Sequence, residues 1–350
     1  MDYRNKRIAV VSPVAWRTPP RQYGAWETVA SNICEGLIDR GWKNVTLFAT
    51  GDSITKAKLR SVVDAGYEED REKDPKVCEY LHLSEVYEHA HEFDLIHNHC
   101  DFMGLAYSKL VRTPVLTTIH GFSSPKIMPV YEKYNNHVCY VSISNADRAG
   151  SLNYIATVYN GIDIKQCSFY NNPGDNLVWL GRIHPDKGVH LAIELARKSK
   201  IPLIIAGIIQ DKQYFDGKIA PYIDNTLIKF IGPVGPVERD NLFSKALAVV
   251  HLNLLPERFG LVMAEAMACG VPVIAMDRGS CREVIEDKKT GYLVNSVEEA
   301  LGAIKNIHII DRKKCRERVE NYFTIEKMVE NYEKVYELIF RINESNILIN

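Results

Sequence analysis

Short runs of β-branched and aliphatic residues alternate with amphipathic stretches along nearly all 350 residues, and this alternation constrains the fold more than any other feature. Strand, helix and strand in succession mark a parallel sheet covered by helices on both faces. The runs predict strands at about 7–13, 45–49, 93–97, 115–119 and 138–143, and a second series at about 176–181, 202–207, 227–231, 247–252 and 272–276. Between them lies NGIDIKQCSFYNNPGDN, polar and aperiodic, which reads as a linker with the boundary near 165–175. The expected architecture is α/β: two Rossmann-like, doubly wound domains, about 1–168 and 169–324, facing across a cleft. A last helical pattern, about 325–345, puts Met328, Val329, Tyr332, Val335, Tyr336 and Ile339 on one stripe. Such a stripe needs a surface to cover, so this helix is expected to cross back to the first domain.

Composition excludes several classes. An apolar share of 46% and a charged share of 25% are those of an ordinary globular chain, not a disordered one. The 43 basic and 44 acidic residues are evenly spread, with 19 and 20 in positions 1–170, so no basic footprint for nucleic acid exists. The densest basic run, Arg312, Lys313, Lys314, Arg316 and Arg318, is interleaved with acids at helical spacing and reads as a solvated helix face. The run Glu68, Glu69, Asp70, Glu72 reads as a solvated loop. No apolar run reaches the ~18–20 residues that span a bilayer, and no strongly basic amphipathic helix stands out. A cytoplasmic protein is expected, with membrane association at most peripheral; the oligomeric state is not legible. Eight scattered cysteines without a C-x-x-C suggest neither a zinc site nor a disulfide framework.

Two clusters carry chemistry, both directly after predicted strands. ERFGLVMAE, residues 257–265, should open a helix near Phe259, so that Gly260 and Leu261 offer unpaired backbone N–H groups to an anion. Glu265 lies about 7.5 Å further along the helix at 1.5 Å per residue. Glu257 and Glu265 could then hold hydroxyls on either side of one bound phosphate group. GRIHPDKG, residues 181–188, brings Arg182, a bidentate phosphate ligand, and Lys187, a point charge; together they could neutralise a diphosphate without a metal. Neither G-x-x-x-x-G-K-[ST] nor G-x-G-x-x-G occurs, which removes support for ATP hydrolysis and dinucleotide binding. In the amino-terminal half, WRTPPRQYG offers aromatic faces and cations in Trp16, Arg17, Arg21 and Tyr23, suited to an acceptor sugar or an anionic group. His97 and His99 share one strand face without a carboxylate at metal spacing; acceptor contact is the alternative to metal binding. No D-x-D occurs.

The clusters resemble the donor site of retaining glycosyltransferases of family four, which have the GT-B fold of two facing Rossmann-like domains. ERFGLVMAE matches that family's paired-glutamate signature, GRIHPDKG its glycine-arginine and lysine-glycine element, and Asn160, Gly161, Ile162, Asp163 its NGID segment. The resemblance implies that Glu257 contacts the donor sugar and Glu265 the ribose. It also implies that Arg182 and Lys187 hold the diphosphate, assisted by Phe259, Gly260 and Leu261. Thr118, Ile119, His120, Gly121 resemble the family's T-x-H-G segment, which makes His120 the expected catalytic group of the first domain, alongside Glu257, Arg182 and Lys187. Where the family often has two glycines before a glutamate, this chain has Gly24, Ala25, Trp26, Glu27, leaving Gly24 as the residue expected to approach the donor. The implied activity is retaining, metal-independent transfer of a sugar from a UDP- or GDP-sugar co-substrate to a hydroxyl acceptor, with no cofactor. A nucleotide-sugar epimerase on the same fold and a non-catalytic sugar-nucleotide-binding protein are the alternatives.

Overall fold

The computed structural model describes residues 2–122 and 124–347. The chain forms two compact units, one from the residues up to Gly161 together with those from Ile325 onward, the other from Ile162–Thr324.

In the first unit β1 (Arg7–Val11), β2 (Asn44–Phe48), β3 (Lys58–Arg60), β4 (Leu95–Asn98), β5 (Val115–Ile119), β6 (Cys139–Ser142) and β7 (Tyr154–Thr157) form a parallel sheet. Its strand order is β3-β2-β1-β4-β5-β6-β7. The second unit has β8 (Asn176–Leu180), β9 (Leu203–Ala206), β10 (Ile228–Phe230), β11 (Ala246–His251), β12 (Val273–Met276) and β13 (Gly291–Val294). They are also parallel, in the order β10-β9-β8-β11-β12-β13. Central strands such as β1 and β12 are buried on both faces, which is why they read as continuous apolar runs rather than alternating ones.

In each sheet the strand order reverses at one place: between β1 and β4 in the first, between β8 and β11 in the second. Helices that follow the two strands at such a point lie on opposite faces of the sheet, which opens a crevice at the strands' carboxyl ends. Both candidate sites lie in these loops.

β3, β7 and β13 are not among the predicted strands. Lys58–Arg60 is a three-residue polar edge, and the other two edge strands, YIAT and GYLV, are too short to show a period. The closing helix, Ile325–Ile347, buries Met328, Val329, Tyr332, Val335, Tyr336 and Ile339 against Val29, Ile33 and Leu37 of the helix Ala25–Asp39 and against strand residues of the first sheet. Two bonds to Glu333 fix it further: Trp42 Nε1 donates at 2.8 Å and Arg40 Nε at 2.7 Å.

Two sequence expectations change. The units divide at Gly161/Ile162, not near 165–175, because the polar stretch after Asp163 is tied into the second unit. Ile162 N–H donates to the Phe323 carbonyl (2.7 Å), Ser168 N–H to Asp240 Oδ1 (2.8 Å) and Tyr170 N–H to the Cys269 carbonyl (3.0 Å). The arginines of Arg312–Tyr322 are also not a solvated face. Arg312 is buried with both Nη atoms on the Ala246 carbonyl, Arg316 reaches the Cys167 and Ala268 carbonyls, and Arg318 those of Glu283 and Val284. Guanidinium forks satisfy carbonyls that strand and helix ends leave open.

No helix among the described residues is long and apolar enough to cross a membrane.

Candidate functional site

The loops leaving β8 and β11 meet at the switch point of the second unit. After β8 the chain makes a short turn, Pro185–Lys187, capped by His184, and Gly188 enters the helix Val189–Ser199 with φ 63°. After β11 it runs through Asn253 to Glu257, which bridges Gly279. It then enters the helix Leu261–Ala268 through Gly260, at φ 83°. Leu254 N–H donates to the Asp186 carbonyl at 2.8 Å and locks the two loops together.

This brings Lys187 and Glu257 into contact. Glu257 is nearly buried and accepts from Lys187 Nζ at 2.9 Å, from His251 Nε2 at 2.9 Å and from Asn253 Nδ2. Burial alone would raise its pKa, but the hydrogen bond from His251 and the charge of Lys187 hold it well below the usual carboxylate range. With Arg258 N–H donating to its other oxygen at 3.1 Å, the result is a carboxylate ionised at any working pH and fixed by four donors. Arg182 stands on the same loop as Lys187, hydrogen-bonded to Gln210 and 3.6 Å from Asp186. Glu265, on the buried side of its helix, pairs with Arg239 at 3.1 Å. The first bond of that helix runs from Met263 N–H to the Gly260 carbonyl, at 2.9 Å, and the amides before it have no partner within the helix.

In the first unit, the loops leaving β1 and β4 line a cavity of about 420 Å³ with Trp16, Tyr23, Gly24, Trp26, Glu27 and Asp101 among its walls. Trp16 and Tyr23 meet edge to face at 6.0 Å. His120, just past β5, stacks on Trp26 at 5.4 Å and its Nε2 hydrogen-bonds His99 Nδ1 at 2.8 Å. His99 Nε2 is buried without a partner. His97 is fully buried between Tyr336 OH (2.7 Å) and Thr118 Oγ1 (2.8 Å), the latter also bonded to Tyr332 OH.

Burial pushes His97 and His120 down to about 3 and His82, in the same unit, to about 4, and holds His99 well below its ordinary value. These rings are neutral when folded but take up protons when unfolded as pH falls below about 6.5, so the unfolded state gains protons first and stability drops. Melting temperature is therefore expected to fall between pH 7 and pH 5, and to fall less in His97→Gln. An equal slope in both proteins would contradict this assignment.

Residues 168–324 match the family model of glycosyl transferases group 1. The chain's second unit carries the group 1 glycosyltransferase domain. Over 115 residues, 30% of each chain, the glycosyltransferase is 37% identical to N-acetyl-alpha-D-glucosaminyl L-malate synthase of Bacillus anthracis. It is similar in structure to sucrose-phosphate synthase of Thermosynechococcus elongatus, with a TM-score of 0.78, 21% identity, and 97% of this chain and 100% of that one covered. It is also similar to Anabaena HepE solved with UDP and glucose, with a TM-score of 0.74, 18% identity, and 95% and 100% covered. Both structural likenesses speak to the GT-B fold.

Within the glycosyltransferase the structure groups Arg182, Lys187, Glu257, Gly260 and Leu261 around one switch point, while Glu265 faces Arg239. Five expectations are corrected. Phe259 is 1% exposed and packs edge to face on Phe323, so its side chain cannot meet a donor, and the helix begins at Leu261 instead. His97 and His99 are both wholly buried, which removes them from acceptor contact. Arg17 and Arg21 do not line the cavity: Arg17 Nε donates to the Pro19 carbonyl (3.0 Å), and Arg21 bridges Glu69 and Asp52. They are held by local acceptors rather than presented to an anion. Sequence reasoning missed His251, Asn253 and Arg239. The first two carried a signal, since residues two apart at a strand end share a face; Arg239 carried none. Among the described residues no group of three His, Cys, Asp or Glu side chains is placed to hold a metal ion.

Proposed function

We propose that this glycosyltransferase moves a sugar from a UDP- or GDP-sugar to a hydroxyl acceptor, with retention at the anomeric carbon and without a bound metal ion. The observation that carries the reading is the Glu257 carboxylate, fixed by Lys187, His251 and Asn253 beside Arg182 and the start of Leu261–Ala268. A carboxylate with several fixed donors is a pre-set acceptor for sugar hydroxyls, and cations with helix amides suit a diphosphate.

In this scheme Arg182, Lys187 and the amides of Gly260 and Leu261 take the charge that grows on the leaving diphosphate. Glu257 orients the sugar and Glu265, steered by Arg239, the ribose. Gly24 and the neutral His120 are the first unit's proposed contributions. The bond from the anomeric carbon to the phosphate oxygen breaks as the bond to the acceptor oxygen forms on the same face. The acceptor's proton passes to the departing phosphate oxygen. A uridine donor is supported by the likeness to Anabaena HepE, which has been solved in complex with UDP-glucose. A cytoplasmic setting belongs to the same proposal, supported by eight cysteines that are all free thiols.

The test is a melting-shift screen of UDP, GDP and their sugars, followed by product analysis by NMR. Transfer with the anomeric configuration of the donor preserved, undiminished by excess EDTA, is expected. Lys187→Ala should lower kcat/KM by about 10² or more. An inverted product, a loss of rate in EDTA, or an epimer formed without acceptor would each replace this reading.

A further inference from the structure

The cavity of the first unit has a composition that discriminates by charge. Its volume, about 420 Å³, lies in the range of ~300–1,000 Å³ typical of small-molecule sites. Trp16, Tyr23 and Trp26 give it aromatic walls, and Leu83, Phe102 and Met103 add carbon surface. Aromatic faces of this kind suit the C–H faces of a saturated ring.

The charged side chains in its walls are all acids. Glu27, Glu79 and Asp101 line the cavity, and among the described residues no lysine or arginine does. Glu27 is 3% exposed and burial lifts its pKa to about 7, so near neutrality it is partly protonated and can donate as well as accept, while Glu79 accepts from Tyr67 OH at 2.9 Å. His82 bonds the Ser12 carbonyl through Nε2 at 2.9 Å. A carbonyl only accepts, so the proton is on Nε2 and the neutral ring keeps an acceptor at Nδ1. The two nearby arginines, Arg17 and Arg21, are held outside by Pro19, Glu69 and Asp52. A ligand rich in hydroxyl donors satisfies such walls. A carboxylate or phosphate entering the same space would lose water, meet like charge, and find no cation to replace either.

We propose that this cavity holds the sugar ring of the acceptor and selects uncharged, hydroxylated rings over anionic ones, with Glu79 and Asp101 as the residues that set the preference. The proposal rests on the glycosyltransfer reading for the word acceptor, but the binding preference stands apart from it.

The test therefore reads binding first. Dissociation constants for p-nitrophenyl glucoside and p-nitrophenyl glucuronide, and for the galactoside and galacturonide, are measured by saturation-transfer NMR titration on the full chain. Each pair differs by one carboxylate. The neutral member is expected to bind at least ~10-fold more tightly, a difference of one like-charge contact at an effective dielectric of a protein surface. Glu79→Gln should narrow that ratio, and Met103→Trp, which fills the cavity, should abolish binding of the neutral member. Equal or tighter binding of the uronides, no binding of either member, or an unchanged ratio in Glu79→Gln would overturn the proposal. Neutral rings that bind as expected but gain no sugar when UDP- and GDP-sugars are supplied would leave it standing and remove the transfer reading instead.

Discussion

Glu257→Ala is expected to cost the second unit heavily in both rate and stability. The carboxylate is 9% exposed and takes hydrogen bonds from His251, Asn253 and Lys187. Removing it strands three side-chain donors, one of them a charge whose side chain is only 22% exposed. Breaking a buried pair from one side typically costs ~3–5 kcal/mol. Taking ~3 kcal/mol, melting of a domain of this size should fall by roughly 6–12 °C. The pH dependence has a definite sign. The folded-state pKa of Glu257 is depressed, so its contribution is complete above the ordinary value of 4.5 and fades as pH falls through the folded value, far into acid. The gap between wild type and Glu257→Ala should therefore be constant near neutrality and begin to close only below about pH 4.5. Transfer should drop by at least ~10², the usual loss when a fixed polar group in a transition-state site is removed. A variant with wild-type turnover would remove Glu257 from the site.

Gly188→Ala is expected to act as strongly, through backbone alone. Gly188 has φ 63°, and a Cβ there would lie 2.0 Å from the Leu252 carbonyl oxygen. The left-handed conformation costs an alanine ~1–2 kcal/mol and the overlap a further ~1–3 kcal/mol. Relief requires the loop carrying Arg182 and Lys187 to move off the end of β11. That motion breaks the Leu254–Asp186 bond and pulls Lys187 from Glu257. Melting temperature and kcat/KM should fall together, while Gly217→Ala, where a Cβ meets nothing within 4 Å, should change neither. Calorimetry and a transfer assay on the two variants decide it. A Gly188→Ala protein that melts and turns over like wild type would show that the loops are not locked as described.

Much of this arrangement is legible from residue pattern. Buried parallel strands carry no alternation, yet their length and bounding turns locate nine of them, because a strand covered on both faces must be apolar throughout. Three of the four edge strands, β3, β7 and β13, escape because an edge is partly open to water and needs no apolar run; the fourth, β10, is legible because Leu227, Ile228, Phe230 and Ile231 form one. The clusters around Arg182 and Glu257 stand out because glycines and charges directly after strands are unusual for packing alone. Phe259 misleads for the opposite reason: an aromatic inside a functional motif is as often the prop beneath it, and here it rests on Phe323. His97 and His99 look like surface chemistry because polar side chains at a strand end commonly face a crevice. Tyr336, 239 residues away, covers His97 instead.

The order of strands and helices, the two switch-point loops and the apolar stripe of the final helix are written in the sequence, since each follows from periodicity and turn chemistry over a few neighbouring residues. Which side chains finally touch is not. Lys187 and Glu257 read as separate ligands until the loops of β8 and β11 are brought side by side, 70 residues apart. The cavity beside Glu79 and Asp101 exists only because residues from Pro13 to Met103 converge beside the carboxyl ends of two strands. Such contacts depend on long-range closure, and burial then decides which of the assembled groups stay charged.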